Sequence, residues 1–130
     1  MDDFEIKVIN DVIVVVVNFS RATFKEAGEL KKILNEYHEK RFKKIVVNIQ
    51  ECEFIDSTFL GVLVYSLKNA SKIGGDIRLI KPGSIVRTLM EKVGTLKVFN
   101  VFDNVEKAVE SYNSPEVINH YTTGNLEIFI

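Results

Sequence analysis

Ile45-Val46-Val47-Asn48-Ile49, and a few residues later Phe54-Ile55-Asp56-Ser57-Thr58-Phe59-Leu60-Gly61, form the stretch that decides how this chain folds. Lys44 to Ile49 is rich in β-branched residues and reads as a buried strand. Glu51 to Ile55 reads as a short loop that delivers the chain to a helix over Ser57 to Ile73. Asp56 and Ser57 are both good N-caps, because a side-chain oxygen there can accept from the N–H groups of the first turn. An anion at such a corner also meets the positive end of the helix dipole. Leu60, Leu63, Val64, Leu67 and Ala70 already make a full core stripe. Phe59 and Val62 add apolar surface beside the polar helix start, as either a partner-facing patch or a deeper burial of the helix would require. Gly74-Gly75 stops the helix, since glycine enters the left-handed cap conformation without steric cost.

Upstream of this corner, Phe4 to Ile9 and Val12 to Asn18 are extended runs separated by Asn10-Asp11, the signature of a hairpin. Val12 to Val17 is apolar at every position, as expected of a strand covered on both faces. Thr23 and Glu26 form a capping box for a helix near 24–41, with Phe24, Ala27, Leu30, Leu34 and Tyr37 along one stripe. Downstream, Asp76 to Ile80 is a strand and Pro82-Gly83-Ser84 a turn, with Ser84 the expected N-cap of a third helix. Ile85, Val86, Leu89, Met90 and Val93 form that helix's stripe, and Gly94 closes it. Lys97 to Val101 reads as the last strand, and Asp103 with Glu106 caps a fourth helix whose inward residues are Val105, Ala108, Val109 and Tyr112. The order β-β-α-β-α-β-α-β-α predicts an α/β fold with a mixed, mostly parallel sheet of about five strands and four helices. Residues 1–113 make this domain. Residues 114–130 form a C-terminal extension in which 126–130 could be a short strand that pairs with a sheet edge, folds back, or joins two copies into a homodimer.

Length and composition suit one globular domain: 130 residues, 46% hydrophobic and 27% charged. A formal net charge of −1 gives no footprint for nucleic acid or anionic lipid. The acidic start Met1-Asp2-Asp3, the brevity of the apolar runs and a single cysteine, Cys52, point to a cytoplasmic protein without membrane insertion. Complete catalytic chemistry is missing. His38, on the polar side of the first helix, and His120, in the tail, read as solvated surface, without neighbours at metal-ligand spacing. Cys52 follows Glu51, whose charge raises a thiol pKa, so a packed thiol is expected rather than a nucleophile. Gly74-Gly75 follows a helix and precedes a strand, the reverse of a phosphate-binding loop. No cofactor, no metal and no enzyme activity are expected.

Asp56-Ser57-Thr58, Leu60-Gly61 and Ile73-Gly74-Gly75-Asp76 resemble the STAS domain of bacterial anti-sigma factor antagonists. The resemblance continues through Pro82, Val86-Arg87, Leu89, Val93-Gly94, Val98-Phe99, Phe102-Asp103 and Ala108, and covers roughly residues 4–112. It implies a partner switch in transcription regulation. An anti-sigma factor that is itself a serine kinase would bind the unphosphorylated protein and release it once Ser57 is phosphorylated; a serine phosphatase would reset it. Asp56 and Thr58 would support the phosphosite, and Phe59, Val62 and Thr23 would contribute to the partner surface. The sequence departs from the family at Phe59, where glycine is usual, and at Ser20-Arg21-Ala22-Thr23, where the family commonly shows Gly-Glu-(apolar)-Asp. Two other readings stand beside this one: a non-switching STAS scaffold subunit of a transport or stress-sensing complex, and a nucleotide-binding or phosphotransfer enzyme using the helix start at Ser57 as an anion site.

Overall fold

Asn10 and Asp11 both adopt positive φ, 48° and 65°, the geometry a two-residue hairpin turn requires. They join β1 (Phe4–Ile9) to β2 (Val12–Val17) as an antiparallel pair. The computed structural model describes residues 3–113. Beyond the hairpin come β3 (Arg21–Ala22), α1 (Phe24–Glu39), β4 (Lys44–Asn48), β5 (Phe54–Ile55), α2 (Ser57–Lys72), β6 (Asp76–Ile80), α3 (Ser84–Lys92), β7 (Asn100–Phe102) and α4 (Val105–Ser111). The main sheet has five strands in the order β1-β2-β4-β6-β7, parallel except for the β1–β2 pair. This is the predicted mixed α/β architecture with four helices.

Alternation along β2 explains why every residue of it is apolar. Ile13, Val15 and Val17 belong to the larger core with Ile45, Val47, Ile77 and Leu79, beneath residues of α1, α2 and α3. Val12 and Val14 point the other way and pack with Val46, Ile80 and the α4 residues Ala108, Val109 and Tyr112. A buried polar cluster fastens α4 to this second face. The Arg78 guanidinium donates to Asp76 Oδ2 at 2.9 Å and to Ser111 Oγ at 2.6 Å, and lies 3.9 Å over the Tyr112 ring. The Tyr112 hydroxyl sits 2.7 Å from the Ile45 carbonyl and 2.8 Å from that of Asp76.

Several local expectations are corrected. Residues 54–55 are not loop but β5, paired in parallel with β3 as a separate two-stranded sheet. The expected strand from Lys97 to Val101 is a 3-10 turn, Leu96–Val98, followed by the shorter β7. Gly83, not Ser84, is the N-cap of α3, and Asn104, not Asp103, caps α4 by accepting from Lys107 N. Phe24, Ile85 and Val93, assigned to inward stripes, are exposed; each lies at a helix end. The 114–130 extension, its strand near 126–130 and His120 lie outside the described residues.

Candidate functional site

The small β3–β5 sheet sets two helix starts side by side. Ser20 O accepts from Glu53 N and Phe54 N, the Arg21–Ala22 pair runs beside Phe54–Ile55, and Ala22 O accepts from Asp56 N at 3.0 Å. One residue further on, each strand becomes a helix. Thr23 is the N-cap of α1, with the predicted capping box: its side chain accepts from Lys25 N, and Glu26 Oε1 accepts from Thr23 N at 2.9 Å. Asp56 is the N-cap of α2, and its Oδ1 accepts from Phe59 N at 2.9 Å. The second carboxylate oxygen, Oδ2, reaches across and accepts from Phe24 N at 2.8 Å. One carboxylate thus serves the first turns of both helices.

Ser57 and Thr58 follow in the first turn of α2 and are exposed. Ser57 stands at the rim of a groove of about 420 Å³ between α2 and α3, walled by Gly61, Val64, Tyr65, Leu89 and Val93. On the other flank of the corner, the Arg21 guanidinium lies 4.5 Å over the Phe54 ring, and Phe24 stands two-thirds exposed. Apolar surface therefore does surround the helix start, but different residues supply it. Phe59, expected on a partner-facing patch, is completely buried, with its ring edge-on to Phe19 at 6.2 Å. Val62 is only half-buried and packs against the main core. Phe59 packs within the main core against Phe19, so its side chain cannot face a partner. Phe24, Phe54 and Tyr65 are the exposed aromatic groups around the corner; Phe24 and Phe54 stand at element ends, where periodicity does not tell inward from outward, and Tyr65 lies mid-helix on the outer face of α2.

The remaining candidates fall away from the corner. Cys52 is buried, and burial, reinforced by Glu51, pushes its thiol up to about 12, so it is a packed thiol. His38 is not solvated surface. It is half-buried opposite Ser66 of α2, neither ring nitrogen has a hydrogen-bond partner of good geometry, and burial lowers its pKa while the nearby Ser66 backbone raises it in part. Among the described residues no group of histidine, cysteine and carboxylate side chains could hold a metal ion, and no helix is long and apolar enough to cross a membrane.

A five-stranded mixed sheet with four helices, and an exposed serine directly after the Asp56 cap where β5 turns into α2, defines a small α/β domain. The STAS domain family model matches residues 3–108, and the chain belongs to that family. A protein of Thermotoga neapolitana described as a candidate anti-sigma factor antagonist is 29% identical over 108 residues, which are 82% of this chain and 95% of that protein. The crystal structure of a candidate anti-sigma factor antagonist from Thermotoga maritima superposes with a TM-score of 0.79 at 28% identity, covering 85% of this chain and 95% of the other. The Bacillus cell fate determinant SpoIIAA in its phosphorylated form shares the fold at 16% identity, with a TM-score of 0.66 over 82% of this chain and 96% of its own.

Proposed function

We propose that this protein is an anti-sigma factor antagonist that works as a cytoplasmic partner switch: it binds an anti-sigma factor serine kinase, is released when Ser57 is phosphorylated, and is reset by a serine phosphatase. The protein itself is a binding module and carries out no chemistry. The observation that carries this reading is the exposure of Ser57 in the first turn of α2, beside an apolar groove and next to an Asp56 whose two oxygens are already engaged. A kinase can reach the hydroxyl without opening the fold. Phosphate would add about −1.5 to −2 charges at pH 7. At a helix start those charges are locally tolerated, so the domain stays folded. Against a partner packed on Phe24, Phe54 and the groove, the same charges would be desolvated. A loss of about 3 kcal/mol, near a hundredfold in affinity, follows. Thr58, one position on, and Thr23, across the corner, flank the site.

Incubation with the cognate kinase and ATP is expected to add one phosphate, and Ser57→Ala to abolish it. Phosphate on Thr58 alone, or none, would sink the assignment. The scaffold alternative keeps the same fold and removes the switch. It predicts equal capture of the partner by Ser57→Ala and Ser57→Asp, whereas a switch predicts capture by the first and loss with the second.

A further inference from the structure

β1 is an edge strand: among the described residues, no strand lies beyond it. Its hydrogen-bond phase can be read from one contact. Asn18 N donates to Asp3 O at 2.8 Å, and the pairing Phe4↔Val17 makes Asp3 and Asn18 direct partners. Such bonded pairs alternate along an antiparallel ladder, so Glu5, Lys7 and Ile9 are bonded to β2. The N–H and C=O groups of Phe4, Ile6 and Val8 therefore point outward. The side chains of the same three residues share one face of the sheet with Val17, Val15 and Ile13, and of these Ile6 is 38% and Val8 65% exposed. Three residues with outward backbone groups, two of them carrying exposed apolar side chains, make a template for strand addition.

We infer that this edge pairs with the same edge of a second copy of the chain, antiparallel about a twofold axis through Ile6. Charge selects that register. Only registers that oppose outward residues to outward residues can form bonds. Centred on Glu5 or on Lys7, they set like charges directly opposite each other, in the close, non-bonded positions of the ladder. Centred on Ile6, they set Glu5 opposite the partner copy's lysine and Lys7 opposite its glutamate, twice by symmetry. The same register joins Phe4 to Val8 of the other copy, Ile6 to its own equivalent, and Val8 to Phe4. The exposed flanks of Ile6 and Val8 are then covered, and six backbone hydrogen bonds close a continuous ten-stranded sheet. Within one copy, Glu5 already bridges Lys7 at 3.6 Å and accepts from Asn18. The pairing extends this short chain of charges across the seam. Ser57 belongs to α2 and takes no part in this edge, so the inference stands independently of the phosphoswitch.

Sedimentation of the full chain over a wide concentration range should show a monomer–dimer equilibrium, with amides of Ile6 and Val8 gaining exchange protection as dimer forms. Lys7→Glu alone and Glu5→Lys alone should each weaken the homodimer about tenfold or more. An equimolar mixture of the two variants should restore association, because every cross-strand pair is then opposite in sign. A chain monomeric at all concentrations, single variants that dimerise normally, or a mixture that stays monomeric would each overturn the inference. So would protection of Ile6 and Val8 in the monomer, which would mean that residues 126–130 occupy the edge in cis.

Discussion

Asp56 caps its own helix through Oδ1 and the neighbouring helix through Oδ2, two bonds to backbone N–H groups that would otherwise face the corner without an acceptor. Each is a cap-type contact worth about 1 kcal/mol, so Asp56→Ala is expected to lower stability by about 2 kcal/mol in urea unfolding. Asp56→Asn keeps one acceptor oxygen and should lose about half of that. The cap on α2 was legible because N-capping is a local rule. The bond to Phe24 was not, since nothing in the sequence announces a partner 32 residues away. Phe59 shows the converse failure. It shares a helix face with Leu63, Ser66 and Ala70, all buried, but the serine interrupts that stripe and makes the buried arc of α2 look narrower than it is. The resemblance to relatives with glycine at this position also hid the need for a large side chain against Phe19.

At the level of elements, α1 and α2 pack side by side on one face of the sheet, and His38 and Ser66 meet across that seam. Burial holds the His38 pKa below the ordinary value of 6.5. Above 6.5 the imidazole is neutral in both the folded and unfolded states. As pH falls from 6.5 towards the folded value, the unfolded chain takes up a proton that the folded one does not, so stability drops across that window. Urea midpoints measured from about pH 7.5 to 5 should show this decline, and His38→Gln should flatten it. Periodicity placed every helix, because each carries at least one capping or glycine signal at its ends. The β3–β5 pair escaped it: two residues are too few to alternate, and their pairing is set by the helices they feed. The Leu96–Val98 turn escaped for the same reason, its apolar residues reading as the opening of β7.

For the molecule as a whole, the alternation of elements was enough to predict the sheet, yet it did not say how the second face is closed. A single two-turn helix does that, held by Tyr112 and the Arg78–Asp76 pair. Tyr112→Phe removes a hydroxyl shared between the starts of β4 and β6 and strands their buried polar groups, at a cost of about 1–3 kcal/mol by denaturant unfolding. Near-ultraviolet dichroism should retain its native shape, since the ring still fills its place. The carboxylate at the junction of the two helices has a further consequence for any signal written there. One carboxylate faces the positive ends of two helices, α1 and α2, so a second anion arriving on the adjacent serine is still tolerated there without being cancelled. Much of the added charge would project into the surroundings, legible to whatever molecule approaches the corner while the domain that bears it stays folded.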